Sequence, residues 1–153
     1  MSASFSGDVI GWAQGRYEIG PRALGNRSLL AAPFSVRARD QLNRIKQRET
    51  FRPIAPIYLA EDFDLQFENH GYSPYMLNFQ RAETSNLNAI THVDGSARVQ
   101  SVTEDQNPQM YSVLRQFRKL SGVAVLCHTS LNFKGRGFVN HLSQLRDLAR
   151  NRA

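Results

Sequence analysis

The chain contains little cysteine and no long apolar segment. Its 153 residues include one cysteine, Cys127, so an internal disulfide is excluded, and no cysteines and histidines have the spacing of a zinc site. No apolar run approaches the ~20 residues that a membrane-spanning helix needs. The polar start of the chain does not have the apolar middle of a signal peptide. A cytoplasmic, reducing setting is therefore the default expectation.

Lysine is also scarce, although the chain is basic. There are 16 arginines and 3 lysines against 13 acidic residues, which gives a net charge of +6. The planar guanidinium suits two-point contacts with phosphate or carboxylate, so the excess of arginine indicates an anionic partner. The arginines are spread singly among glycines, prolines and apolar residues, whereas nucleic-acid surfaces favour basic runs or stripes. We therefore expect a pocket for an anion and consider a nucleic-acid partner unlikely.

Apolar patterning predicts a mixture of strands and helices. Short apolar runs bounded by glycine, proline or polar residues predict strands, and apolar residues at helical spacing predict helices. The predicted strands are 8–14, 28–32, 57–59, 75–80, 90–93, 97–102 and 123–127. The predicted helices are 35–46, 60–67, 108–121 and 142–150. Because strands and helices do not strictly alternate, we expect one α/β (α+β) domain with a mixed sheet.

A loop rich in glycine and arginine is the first candidate site. Residues 15–25 contain three glycines and a proline, and Arg16, Arg22 and Arg27 lie in this loop or beside it. Glycine lets the backbone approach a ligand closely and exposes its N–H groups, which favours an anion-binding loop. A surface turn with solvated arginines fits the same residues equally well.

Three cations near the end of the predicted helix 35–46 form the second candidate. Lys46, Arg48 and Arg52 lie within seven residues. The helix dipole favours cations at this position whatever their function. Pro53 and Pro56, however, stiffen the following backbone, and a rigid frame positions an arginine as a ligand. Both interpretations stay open.

Polar residues after the predicted strand 123–127 form the third candidate. The segment 129–132 contains Ser130 and Asn132, and the carboxyl end of a central strand is a usual ligand position in α/β sheets. Ser130 lacks the Gly-x-Ser-x-Gly pattern of a nucleophile, so we interpret it as a hydrogen-bonding group for phosphate or nucleotide. An ordinary strand exit is the alternative.

A predicted hairpin turn and several absent motifs complete the analysis. Asp94-Gly95 predicts a hairpin between 90–93 and 97–102, from which Arg98 could still reach a ligand. Cys127 and His128 are neighbours in a predicted strand and point to opposite faces, so we expect Cys127 in the core and not as a nucleophile. No GxxxxGK[ST] motif and no pair of histidines at metal-ligand spacing occur.

Several segments together resemble a known family. They are GRYEIGPRALGNRSLLAAP, LNRIKQRETFRPIAPIYLAE, SPYM, THVDGSARVQSV and VAVLCHTSLNFKGRGFVN, in that order. In these segments the chain resembles the C-terminal domain of the NodU-type O-carbamoyltransferases, over about residues 9–148. The resemblance implies a YrdC-like fold, a twisted mixed β-sheet flanked by helices, in a single domain over residues 1–153.

The resemblance also implies an activity. Members bind ATP, with Mg²⁺ expected, and carbamoyl phosphate, and form carbamoyl-adenylate for transfer to an acceptor hydroxyl. Their large N-terminal domain carries a metal site and performs the transfer, so we expect this chain to lack that step and its metal, and to need a separate N-terminal-type domain as partner. A nucleotide- or phosphate-binding module without turnover, or a nucleic-acid-binding YrdC-like domain, is the alternative.

The site residues implied by the resemblance come from four segments. A Lys-x-Arg pair and a Ser-x-Asn pair surround the nucleotide in YrdC-type proteins, and here they match 46–48 and 130–132. The residues expected to carry catalysis are Lys46, Arg52 and Arg98. The residues expected to bind ATP or carbamoyl phosphate are Arg22, Arg27, Arg48, Ser130 and Asn132.

Overall fold

The strands form one central sheet and one small separate pair. The structure, a computed structural model, describes residues 8–68, 72–82, 86–132 and 137–150. The strands are β1 (Ile10–Ala13), β2 (Arg27–Ala31), β3 (Ala55–Leu59), β4 (Phe79–Arg81), β5 (Ser96–Arg98), β6 (Gln100–Val102) and β7 (Val125–Ser130). The helices are α1 (Val36–Ile45), α2 (Pro108–Ser121), α3 (Leu142–Arg150) and a 3₁₀ helix at Ala60–Leu65.

The central sheet is mixed, as the sequence predicts. Its order is β1-β2-β7-β3-β6, in which β3 pairs with β6 in parallel and the other neighbours are antiparallel. Strands β4 and β5 form the separate antiparallel pair. The prediction of an α/β (α+β) domain with a mixed sheet flanked by helices is confirmed. The middle strand of the sheet is β7, so its carboxyl end lies between two neighbouring strands.

Apolar layers cover both faces of the sheet. On one face, Ala38 and Leu42 of α1 belong to the same buried cluster as Val125 and Cys127 of β7. On the other face, residues of α2 pack with residues of β2, β3 and β7: Met110, Leu114, Leu30, Ile57 and Leu126. Side chains along a strand alternate between faces, which is why consecutive residues of β7 enter different layers. Cys127 is fully buried, and burial raises the pKa of its thiol, in agreement with the expected core position.

Helix α2 begins and ends where its local sequence directs. The Asn107 side chain accepts a hydrogen bond from the Met110 amide at 3.0 Å, and Pro108 occupies the first turn, where no N–H is needed. At the other end Gly122 has φ of 84°, a left-handed conformation that a glycine adopts without strain. The predicted helix 108–121 is therefore confirmed at both ends.

Three strand predictions are wrong, and one of them, 97–102, is divided between β5 and β6, which belong to different sheets. The predicted strand 75–80 is reduced to β4, because Met76 has φ of 56° and breaks the extended chain. The turn before β5 forms, with the His92 amide donating to the Ser96 carbonyl at 2.7 Å, but residues 90–93 are not a strand. Ile90 is buried in the α1-side layer, and β5 pairs with β4 in place of 90–93.

The end of β7 and the length of the helices can be compared with the sequence-based expectations. Strand β7 runs to Ser130, beyond the predicted end at Cys127, so Thr129 and Ser130 belong to the strand. Within the described ranges, every helix is too short or too polar to cross a bilayer.

Removing the cap of α2 tests this account of the fold. The Asn107 Oδ1 atom accepts from the Met110 amide and, at 2.8 Å, from the Gln14 side chain. We expect Asn107→Ala to lower the free energy of unfolding by about 1–2 kcal/mol, measured by urea denaturation, because the Oδ1 acceptor of both hydrogen bonds is lost. Asn107→Asp keeps an acceptor at the cap and is the control. A loss below about 0.5 kcal/mol in the alanine variant would contradict this role.

Candidate anion-binding site

Four arginines meet at a cavity beside the carboxyl end of β7. The cavity has a volume of about 270 Å³. Among the described residues that line it are Arg22, Arg48, Arg52, Arg98 and Ser130, and none of the lining residues is acidic. Five of the eight predicted site residues therefore lie around one concave surface.

These side chains reach the cavity from separate parts of the chain. Arg22 comes from the loop between β1 and β2, and Arg48 and Arg52 come from the segment between α1 and β3. Arg98 ends β5, and Ser130 ends β7. Folding thus brings positive charges together that are up to 76 residues apart in the sequence, as the Arg22–Arg98 pair shows.

A buried carboxylate holds the arginine-bearing loop. Glu18 is 8% exposed, and its Oε1 atom accepts from the amides of Leu24 at 2.7 Å, Asn26 at 2.8 Å and Arg27 at 3.3 Å. Glu18 precedes Arg22 in the chain and the three amides follow it, so these hydrogen bonds close the loop that contains Arg22. Its role is to position the loop, and nothing in the local sequence pattern indicated it.

Arg27 lies apart from the cavity lining. Its guanidinium donates to the carbonyls of Val139 at 2.9 Å, Gln14 at 2.6 Å, Asn26 at 3.0 Å and Gly15 at 3.1 Å. All three of its nitrogens take part in these contacts. A ligand at Arg27 would have to compete with four backbone carbonyls, so the structure gives this residue a place in holding the loop together.

Lys46, Ser130 and Asn132 form a cluster at the strand end. The Lys46 ammonium donates to the Ser130 carbonyl at 2.8 Å and to the Ser130 hydroxyl at 3.2 Å. It also contacts the Asn132 carbonyl at 3.3 Å and the Asn132 side-chain oxygen. The Ser130 hydroxyl in turn donates to Asn132 Oδ1 at 2.7 Å. Ser130 belongs both to this cluster and to the lining of the arginine cavity. The Lys-x-Arg pair at 46–48 and the Ser-x-Asn pair at 130–132 therefore lie next to each other.

Asn43 shapes the segment that carries Arg48 and Arg52. This fully buried side chain accepts from Arg48 Nε at 2.6 Å and donates to the carbonyls of Thr50 at 2.9 Å and Arg52 at 2.7 Å. The segment also contains Gln47 at φ of 50°. The buried amide therefore holds a tight turn in which two arginines face one cavity.

Burial and a neighbouring arginine disfavour the charges of Arg48 and Arg98 in the cavity. Burial and the neighbouring Arg52 lower the pKa of Arg48 to about 10, although Glu49 opposes the shift. Burial and the charge of Arg22 also lower the pKa of Arg98. Glu49 approaches Arg52 at 3.8 Å, but both side chains are largely exposed, so this ion pair is weak. Positive charge without enough local compensation is the electrostatic condition for binding an anion.

Aromatic rings form part of the cavity wall next to Arg98. The Arg98 guanidinium carbon lies 4.7 Å from the centroid of the Phe79 ring, a cation–π contact. The Phe79 ring meets His92 edge to face at 5.6 Å, and both residues line the cavity. These contacts restrict the Arg98 side chain. Phe79 lies within the predicted strand 75–80, and nothing in the sequence pattern identified it as part of the site.

Within the described ranges, no three histidine, cysteine, aspartate or glutamate side chains are placed to share a metal ion. The polar lining of the cavity consists of four arginines, two hydroxyl residues and two histidines, and the guanidinium groups suit phosphate or carboxylate oxygens.

Comparison with known proteins identifies the family of the chain. Residues 3–152 match the family described as Carbamoyltransferase C-terminus, and the chain belongs to that family. It is 58% identical over 140 residues to 3'-hydroxymethylcephem-O-carbamoyltransferase of Amycolatopsis lactamdurans, which covers 91% of this chain and 27% of that protein. The corresponding enzyme of Streptomyces clavuligerus is 53% identical over 145 residues, covering 94% of this chain and 28% of that protein.

A more distant relative extends the comparison. Nodulation protein NolO of Bradyrhizobium diazoefficiens is 41% identical over 145 residues, covering 90% of this chain and 26% of that protein. The chain thus spans about a quarter of the length of these curated relatives. Its role is carbamoyltransferase-related.

Removing the loop carboxylate should loosen the site. We expect Glu18→Ala to lower the free energy of unfolding by about 2–3 kcal/mol, because three amides lose their acceptor in a largely buried position. Urea denaturation measures this loss. Calorimetry with inorganic phosphate should show weaker binding, since the loop holds Arg22. Glu18→Gln retains an acceptor and should be much less affected. Equal stability of wild type and the alanine variant would refute the anchoring role.

Acid should destabilise the protein through His128. Burial lowers the pKa of this histidine from 6.5 to about 4. Between these values the unfolded chain binds a proton that the folded chain does not, so stability falls as the pH drops from 6.5 towards 4, by up to about 3 kcal/mol. Burial also lowers the pKa of His92, so wild type is compared with His128→Gln at each pH. Parallel pH profiles of unfolding would contradict the prediction.

Proposed function

We propose that the cavity binds carbamoyl phosphate next to ATP and supports formation of carbamoyl-adenylate, for transfer to an acceptor hydroxyl. The observation that carries the proposal is the convergence of four guanidinium groups on one cavity that adjoins the Lys46–Ser130–Asn132 cluster. Membership in the Carbamoyltransferase C-terminus family supports the same chemistry.

The arginines would hold two anions that repel each other. Carbamoyl phosphate and ATP both carry negative phosphates, and Arg22, Arg48, Arg52 and Arg98 supply fixed positive charge on several sides of one cavity. Positioning both reactants there removes much of the entropic barrier to their reaction. The same charges would stabilise negative charge that develops as bonds to phosphorus form and break.

The Lys46–Ser130–Asn132 cluster would contact the nucleotide. Lys46 supplies the positive charge of this cluster. The Ser130 hydroxyl and the Asn132 amide now bond to each other and to Lys46, and a bound nucleotide would replace these partners with its own oxygens. No carboxylate lines the cavity in the described part of the chain, so Mg²⁺ bound with ATP would be held mainly by phosphate oxygens and water. We assign the protein no metal ligand.

The reaction would proceed in the following order. Water takes the phosphoryl group of carbamoyl phosphate, which leaves carbamate and inorganic phosphate. A carbamate oxygen then attacks the α-phosphorus of ATP. The bond between the α-phosphorus and the bridging oxygen breaks, and pyrophosphate leaves with its electron pair. Arg52 and Arg98 would neutralise the departing phosphate, and Lys46 the charge near the α-phosphorus. Transfer of the carbamoyl group to a hydroxyl would need residues such as those in the remainder of the longer relatives.

A small anion suits this cavity better than a nucleic acid does. The four arginines surround a concave space of about 270 Å³ and do not form an extended stripe on the surface. Strong, salt-sensitive binding of RNA in preference to carbamoyl phosphate and ATP would favour the nucleic-acid alternative.

Exchange of labelled pyrophosphate into ATP tests the proposal. We expect exchange by the purified chain only when carbamoyl phosphate is present. ATP binding by calorimetry without any exchange would favour a binding module without turnover. Absence of binding of both ATP and carbamoyl phosphate, with the fold intact, would overturn the proposal.

Substitution of one cavity arginine should separate function from stability. We expect Arg52→Ala to lower the exchange rate by about 10²–10³. The free energy of unfolding should change by less than about 1 kcal/mol, because the side chain is largely exposed. Arg37→Ala, at an exposed position on α1 outside the cavity lining, is the matched control and should retain the rate. Equal rates for the two variants would remove Arg52 from the reaction.

A further inference from the structure

His128 is a buried polar side chain at the cavity with unused hydrogen-bonding capacity. It is 1% exposed and lies among the residues that line the cavity. Across the described ranges, neither ring nitrogen, Nδ1 or Nε2, finds a hydrogen-bond partner. Buried polar groups are nearly always hydrogen-bonded, so an imidazole left without a partner beside a cavity indicates a ligand group that pairs with it.

The strand register places the His128 side chain on the same face of the sheet as Ser130. Ser130 is two residues further along β7 and so projects from the same face, and it lines the cavity. Ala55 of β3 is directly opposite His128 in the antiparallel register, and it also lines the cavity. Leu126, two residues before His128, belongs to the α2-side layer. The ring therefore lies where this apolar layer meets the anion site.

The other charged groups of the cavity can only donate hydrogen bonds. A guanidinium has five N–H donors and no acceptor, so four arginines suit phosphate oxygens but offer nothing to a ligand N–H group. The Ser130 hydroxyl already donates to Asn132 and accepts from Lys46. His92 uses one ring nitrogen, Nδ1, to pair with the Ser96 hydroxyl at 3.2 Å, whereas both ring nitrogens of His128 lack a partner among the described residues. A neutral His128 ring offers one N–H donor and one acceptor nitrogen.

The ring stays neutral under ordinary conditions. Burial lowers the pKa of His128 to about 4, and the neighbouring arginines add no negative charge that would favour the imidazolium. At neutral pH one ring nitrogen therefore has a lone pair available to accept a hydrogen bond.

We propose that His128 determines specificity for the carbamoyl group, by accepting a hydrogen bond from its NH₂ while the arginines bind the phosphate. The inference rests on the proposed function and adds to it a residue that reads the uncharged end of the ligand. Acetyl phosphate has the same charge and nearly the same shape, with a methyl group in place of NH₂. A site with a buried acceptor disfavours such an analogue, because the acceptor is left unpaired.

Competition binding of the two phosphates tests the role of His128. We expect the wild-type chain to bind carbamoyl phosphate about tenfold more tightly than acetyl phosphate. His128→Leu should reduce this preference to about twofold or less and retain affinity for inorganic phosphate. His128→Gln keeps a side-chain acceptor and should retain most of the preference. Arg52→Ala should weaken binding of both ligands and leave their ratio unchanged.

An NMR measurement gives a second readout without any variant. We expect carbamoyl phosphate, and not acetyl phosphate, to shift the ¹⁵N resonance of the acceptor nitrogen of His128. Equal shifts with both ligands, or a wild-type preference that His128→Leu retains, would overturn the inference while leaving the proposed function intact. If the wild type binds neither carbamoyl phosphate nor inorganic phosphate, the proposed function fails, and the role of His128 fails with it.

Discussion

Holding four arginines around one cavity, two of them at a cost in burial and repulsion, is the constraint on which the site depends. Arg22, Arg48, Arg52 and Arg98 line one cavity that has no acidic residue in its described lining. Partial burial, together with one neighbouring arginine in each case, lowers the pKa values of Arg48 and Arg98, so these two charges are held where their surroundings disfavour them. A bound anion relieves this repulsion, so the electrostatic energy stored on folding becomes available for binding.

The rest of the domain holds these charges together. Glu18 closes the loop that carries Arg22, and Asn43 fixes the turn that carries Arg48 and Arg52. Both are buried polar groups whose hydrogen bonds go mainly to backbone atoms, so they fix chain geometry in a way that exposed side chains could not. The two apolar layers on either side of β7 supply the stability against which the repulsion is set.

Features encoded locally could be predicted from the sequence. The ends of α1 and α2 follow from Ser35, Asn107 and Gly122, because a cap depends on residues only a few positions apart. The pairing of β4 with β5 could not be predicted, because both strands have three residues and their partners are chosen by tertiary packing. The arginines were visible in the sequence, whereas the roles of Glu18 and Asn43 depend on backbone groups that only folding brings within reach.

The central claim is that this cavity binds phosphate oxygens through several arginines at once. Its most direct test is an NMR titration of the guanidinium resonances with inorganic phosphate. The account predicts that the signals of the four cavity arginines shift together with a single dissociation constant, while that of Arg37, outside the cavity lining, stays in place. Small, similar shifts spread over all arginines, or no shift at the cavity, would contradict it.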